Sequence, residues 1–361
     1  MFRISFEKRY DRSRRLTLTI YLLSLILAIL AASLIFPLRG VNPLTALQKI
    51  LLSSFFSSYG LSETITKAIP LILISSGLCL AYRAKLWNIG SEGQLLAGCI
   101  LATWTGLNAS IMPSVLVLPL MFMAGMLGGA LFGMLAAWLK HRFCMNEVIS
   151  TLMLNYVAIE AVQYLIYGPW KGKTQWGFPY TDNFPVSATL GLIPGTRIHY
   201  LTLTLGLLFS ALSYFLLSRT TFGFEIRLSG ENQRAADRAG ISPLKVSLLA
   251  MGLSGGLAGL AGTGELCGIH HHLTYPWAVS SGYGFTAIIV AWISGMNPLL
   301  CILSSIFFGG LLVGGDAVQI SLGLPFAVVN VFNGVILFFL ITGEFFLENR
   351  IFIRRGGNAG T

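Results

Sequence analysis

Charge is scarce in this chain. Only 11% of its 361 residues are Asp, Glu, Lys or Arg, against about 25% in an ordinary soluble domain. With 55% hydrophobic residues and a mean hydropathy of +0.74, that scarcity argues against a soluble fold. Catalytic signatures are missing too. There is no G-x-x-x-x-G-K-[ST], so the chain has no phosphate loop for ATP. H-E-x-x-H and C-x-x-C are also absent, and no catalytic set appears. The five cysteines (Cys79, Cys99, Cys144, Cys267, Cys301) show neither paired nor metal-type spacing and read as small buried residues. His270, His271 and His272 are adjacent, and adjacent residues rarely converge on one ion, so no metal site is assigned.

What is present is a series of long apolar runs near the roughly 20 residues a helix needs to cross hydrocarbon. Ten spans are expected, near 16–36, 62–82, 92–107, 113–138, 148–168, 198–217, 246–264, 282–296, 299–314 and 325–342. The fold class is an all-α polytopic membrane protein. The first run, about 21 residues, exceeds the 7–15 of a signal peptide and reads as a retained span. Forty glycines suit close helix packing in lipid. The pairs Gly125/Gly129, Gly252/Gly256 and Gly255/Gly259 have the spacing that lets backbones approach.

Lysine and arginine set the orientation. With the N-terminus inside, eighteen basic residues fall in inner segments and six in outer ones. This is the positive-inside bias, and it accounts for the net charge of +10 without nucleic acid. Both termini, 1–15 and 343–361, are then cytoplasmic flanks of a single transmembrane domain over 16–342. The aromatic and Pro-bearing stretch 169–197 is external, either an interfacial cap or a contact for an external partner. The parity of the spans predicts two inverted four-helix blocks flanking the sixth.

Ionisable groups at membrane depth are costly and so are functional candidates. Glu92 follows a Gly-bearing break and reads either as a helix-starting acid or as a pathway residue. Glu160 and Glu265 lie deeper. Asn88, Asn155, Gln163, Asn330 and Asn333 are neutral polar groups, suited to interhelical hydrogen bonds or to lining a path for a polar, uncharged solute.

Residues 218–245 form a long, charged stretch between spans, and they carry Arg219, Arg227, Arg234, Arg238 and Lys245. A short helix is expected over 231–239, with Glu231 in its first turn, Arg238 in its last, and Gly240 ending it. Ala235, Ala236 and Ala239 make one side small, as entry into a groove on another protein requires. A bulky residue at Ala236 is expected to uncouple such a contact without unfolding the membrane domain.

The run Arg227-Leu-Ser-Gly-Glu-Asn-Gln-Arg-Ala-Ala-Asp-Arg-Ala-Gly-Ile241 resembles the cytoplasmic coupling loop of ATP-binding-cassette importer permeases. The similar branch handles branched-chain amino acids, simple sugars and nucleosides. Asn88-Ile-Gly-Ser-Glu-Gly-Gln94, Asn146-Glu-Val-Ile-Ser-Thr-Leu-Met-Leu-Asn-Tyr156 and Gly282-Tyr-Gly-Phe-Thr-Ala-Ile-Ile-Val-Ala291 agree with it, and the second of these points to the nucleoside and simple-sugar subgroup. The resemblance implies a bacterial inner-membrane permease for a small polar solute, most simply nucleosides, with simple sugars as the alternative. It also implies a second permease subunit, a cytoplasmic ATPase that holds the ATP and Mg, and an extracytoplasmic binding protein. This chain would need no cofactor of its own. Gly230, Glu231, Asn232, Ala235, Ala236 and Gly240 would meet the ATPase. The residues alone leave open an ion-driven secondary transporter, with Glu160 or Glu265 as coupling acid, and a channel.

Overall fold

Hydrocarbon offers a backbone no water to bond, so each apolar run must close its own hydrogen bonds as a helix. The computed structural model describes residues 2–8 and 14–355, and among these the regular elements are helices apart from one pair of strands. The helices are α1 (Arg14–Ser33), α2 (Pro43–Phe55), α3 (Ser58–Arg83), α4 (Ser91–Leu107), α5 (Ser114–Phe143), α6 (Glu147–Tyr167) and α7 (Tyr200–Arg219). There follow α8 (Thr221–Glu231), α9 (Gln233–Arg238), α10 (Pro243–Glu265), α11 (Pro276–Ser280), α12 (Tyr283–Ile293), α13 (Pro298–Leu322) and α14 (Phe326–Glu348). Seven helical runs among the described residues are long and apolar enough to cross a membrane. A helix lies over each of the ten expected segments, and α2 is an additional one.

The chain divides into two compact units, one made of the segments up to Ser57 and from Leu311, the other of Ser58–Gly310. In the first, α1 packs along α14, and the Phe36 and Phe332 rings meet at 5.3 Å between centroids. Strand β1 (Phe2–Lys8) pairs antiparallel with β2 (Asn349–Arg355), Phe2 opposite Arg355 and Lys8 opposite Asn349. These strands lie within the expected terminal flanks 1–15 and 343–361. Helix α14 runs on to Glu348, and the alternating apolar residues of FRISFEK and NRIFIRR suit a strand pair.

In the second unit α3 and α10 are central. Of the most apolar window, 89% is buried in α3 and 72% in the run containing α10, against 28% in α5 and in α7. Glycine makes the core this tight. A Cβ at Gly129 would overlap the Gly255 carbonyl oxygen, one at Gly259 the Gly125 carbonyl oxygen, and one at Gly98 the Gly259 Cα. The Gly125/Gly129 and Gly255/Gly259 pairs thus face one another across α5 and α10. The Gly252/Gly256 pair instead meets Met134 and Met126.

The segment 169–197 is strung along the residues after α10. Thr181 N donates to Leu273 O at 3.0 Å, Phe184 N to His271 O at 2.8 Å and Leu190 N to Cys267 O at 3.0 Å. The histidine triplet therefore supplies backbone to this contact. His270 ends a π-turn, Leu266–His270, and His271 adopts φ 58°. Among the described residues no group of three or more His, Cys, Asp or Glu side chains is placed to hold a metal.

Candidate functional site: a buried polar junction and an exposed helical turn

Seven residues separate α3 from α4, and their path is set by side chains from two other helices. Asn88 is fully buried. Its Nδ2 donates to Gln94 Oε1 at 2.9 Å and to Ser254 Oγ on α10 at 3.0 Å. Its Oδ1 accepts from Gly90 N at 3.0 Å and from Gln94 Nε2 at 2.9 Å. Asn155 of α6, 2% exposed, holds the other side. Its Oδ1 accepts from Gly93 N at 2.8 Å, and its Nδ2 donates to Ile89 O at 2.9 Å. The first turn of α4 has unpaired amides by geometry, and here a neighbouring asparagine meets one of them.

Glu92 lies in that same first turn and is fully buried. It is thus the helix-starting acid that the sequence suggests, and its carboxylate also reaches a second helix: Oε2 accepts from Gly284 N at 2.8 Å, in the first turn of α12. The reason lies in the chain break before α12. Ser281 (φ 45°) and Gly282 (φ 72°) are both left-handed, which ends α11 and leaves the start of α12 with free amides beside the start of α4. Two helix N-termini, each carrying partial positive charge, meet at one carboxylate. Its Oε1, Ser91 Oγ and Ser280 Oγ are buried at the same point.

The structure thus brings Asn88, Glu92 and Asn155 into one junction, with Gln94, Ser254 and Gly284 as members that sequence reasoning missed. Ser254 and Gly284 lie far away in sequence, in runs that read as packing glycines and a span start. The remaining candidates lie elsewhere. Glu265 closes α10, buried, about 16 Å along the helix from Ser254. Gln163 sits half-buried on the outer side of α6, its Nε2 donating to Glu160 Oε1 at 3.4 Å. The side chains of Asn330 and Asn333 lie outside the described residues.

The polar stretch 218–245 is largely helical. Helix α8 includes Glu231 as its last residue, and the short helix α9 begins at Gln233. Asn232 is the N-cap between them, extended at φ −149°, ψ 96°, and its side chain accepts from Ala235 N at 3.1 Å. The expected placement of Glu231 in the first turn of a helix over 231–239 is corrected, because Asn is the stronger N-cap and takes that role one position later. Gly240 at φ +75° closes the turn as expected. The expected small face is divided, with Ala239 exposed and Ala236 not. Ala236 is 0% exposed, buried within its own chain, and a Cβ at Gly230 would overlap the Arg83 carbonyl oxygen. Glu231, Asn232, Gln233, Arg234, Asp237 and Arg238 are exposed, and Ala235 is half-buried. Behind the turn is a cavity of about 580 Å³ whose lining includes Lys85, His141, Ser229, Gln233, Asp237 and Ser247. His141 Nε2 and Ser247 Oγ, 2.9 Å apart, link α5 to α10 at its wall.

Chemically, the junction fixes backbone and the turn offers a surface. Neither presents a nucleophile with a base. A family profile described as branched-chain amino acid transport system / permease component matches residues 60–341. The chain is 37% identical to the glucose ABC transporter permease protein TsgB13 of Haloferax volcanii, over 89% of this chain and 87% of that one. It is 32% identical to the guanosine ABC transporter permease protein NupP of Bacillus subtilis, over 90% and 92%. With the nucleoside ABC transporter permease protein NupB of Lactococcus lactis it shares 28% identity over 91% of each.

Proposed function

The chain belongs to the family of branched-chain amino acid transport system permease components, and from that premise we propose that it carries nucleosides across the bacterial inner membrane as the transmembrane subunit of an ATP-driven importer. It is a multi-pass membrane subunit without an ATPase motif of its own. Permeases of this kind work with an ATPase and a substrate-binding protein. The finer reading adds a second permease subunit and ATP with Mg on the ATPase alone. It also takes ten spans, with both termini cytoplasmic. The β1–β2 pairing supports ends that lie on one side.

One observation carries the mechanism: a capped two-helix turn, α8–Asn232–α9, that is polar and exposed on one side and buried through Gly230 and Ala236 on the other. Exposed Glu231, Asn232, Arg234 and Arg238 would touch the ATPase. Gly230 and Ala236 would transmit its movement to Arg83 and the start of α10. Such a turn is a rigid lever rather than a loose loop. Asn88, Glu92 and Asn155, sealed within one chain, suit a frame that fixes where α4 begins. Simple sugars are the second reading, favoured by the 37% identity with a permease named for glucose.

Vesicles carrying the whole importer test this. Uptake of guanosine should require ATP and ignore collapse of the proton and sodium gradients. Arg234→Glu with Arg238→Glu should abolish uptake while leaving the chain folded and in the membrane. Uptake that runs on an ion gradient without ATP overturns the proposal.

A further inference from the structure

Most of the outward surface of the second unit is what hydrocarbon requires. On α5 the exposed side chains include Leu116, Leu120, Met123, Leu127, Leu131 and Leu135, an apolar stripe. Helix α6 departs from this. One side, with Thr151, Asn155, Ala158, Val162 and Ile166, is buried, and α6 packs on α4 and α5. The opposite side exposes apolar Ile149, Met153 and Val157 in its first half, and then Tyr156, Glu160, Tyr164 and Tyr167, three or four residues apart and so on one face. Gln163 lies beside Glu160 and donates to it.

Depth makes this face anomalous. Glu160 is about 20 Å from the start of α6 and about 10 Å from its end, inside a hydrocarbon layer of about 30 Å. A carboxylate facing lipid there is disfavoured about a hundredfold. The face must therefore meet water or protein.

We infer that the Tyr156–Glu160–Gln163–Tyr164 stripe of α6 lines a water-filled solute path and recognises a polyhydroxylated ring. The residue types select that class. A carboxylate accepts hydrogen bonds from neighbouring hydroxyls, and the glutamine amide both donates and accepts. Tyrosine rings one turn to either side of Glu160 offer flat apolar faces with a polar tip. A ribosyl or hexose ring presents hydroxyls along its edge and C–H groups on its face, so it satisfies both. An anionic solute would be repelled by Glu160, and a purely apolar one would leave it unpaired. The inference rests on the importer reading and refines it, since nucleosides and sugars share this chemistry.

The test uses the whole importer in vesicles, in a Cys144→Ser background because Cys144 is the exposed native thiol. Glu160→Cys and Tyr164→Cys should react with a charged methanethiosulfonate at least about tenfold faster than Leu127→Cys and Leu131→Cys on α5. Saturating guanosine or glucose, applied separately, should slow that reaction, and the protecting solute tells which ring is bound. Separately, Glu160→Ala should raise the KM for uptake about tenfold or more, and Glu160→Gln, which keeps an acceptor, should raise it less. Equal labelling at all four positions, labelling unaffected by either solute, or an unchanged KM in Glu160→Ala overturns the inference. Wild-type uptake is measured with and without ATP in the same vesicles. A driving force other than ATP would fail the importer reading alone and leave the labelling result to judge the stripe.

Discussion

Removing the Asn155 side chain should cost the second unit several kcal/mol. Two hydrogen bonds end on it, Gly93 N to Oδ1 at 2.8 Å and Nδ2 to Ile89 O at 2.9 Å, and the residue is 2% exposed. In Asn155→Ala, one amide and one carbonyl stay buried without partners. Each such group costs about 1–3 kcal/mol, so the sum is about 2–6 kcal/mol. The adjacent Val157, 56% exposed, is the control, since truncating a surface residue usually changes stability by less than about 0.5 kcal/mol. Heating the purified protein in detergent with a thiol-reactive dye reads the difference, because Cys79, Cys99, Cys267 and Cys301 are buried and become reactive only on unfolding. At roughly 2 °C per kcal/mol for a unit of this size, Asn155→Ala should melt at least about 4 °C below wild type. Val157→Ala should stay within about 1 °C. If the two melt together, the start of α4 is not held by Asn155 and the account of the junction is wrong.

Other perturbations separate backbone from side chain in the same way. Gly129→Ala should impair folding, because its Cβ meets the Gly255 carbonyl, whereas Gly252→Ala should be tolerated, because it meets only the flexible Met134 side chain. Equal expression and melting of the two would refute tight α5–α10 backbone contact. Glu92→Gln keeps an acceptor for Gly284 N and should melt near wild type, while Glu92→Ala strands that amide and should lose about 1–3 kcal/mol. Equal losses would show that charge, not acceptance, is what matters. In the segment 169–197, the Thr174 hydroxyl at 2.6 Å and its amide at 3.1 Å hold the Asp182 carboxyl below its ordinary value. A lowered folded pKa means the tie is complete above the unfolded value, about 3.9, and is lost as pH falls through the lower folded one. Hydrogen exchange at Thr174, corrected for intrinsic rates, should rise in strong acid, and a rate unchanged by pH counts against the tie.

Much of this molecule was legible in the chain because its strongest constraints are local. A run such as 148–168 must be a helix once it enters hydrocarbon, whatever lies beside it. Gly240 must end a turn because it alone there tolerates φ +75°. The turn around 232 was legible in kind but off by a position, since Glu231 and Asn232 are both credible helix starters and only the path of α8 selects between them. The glycine pairs were legible as close contacts but not as partners: nothing in the spacing distinguishes Gly255, which meets backbone, from Gly252, which meets methionine.

The sequence by itself determined a polytopic helical protein, its bias of basic charge and its lack of an ATP loop, for composition and periodicity act along one dimension. Tertiary structure alone decided who meets whom. Glu92 finds Gly284 across 192 residues of chain, Ala236 turns inward, and α6 shows tyrosines and a carboxylate where α5 shows leucine. Both helices read as apolar, and which face is sealed depends on the neighbours each one packs against.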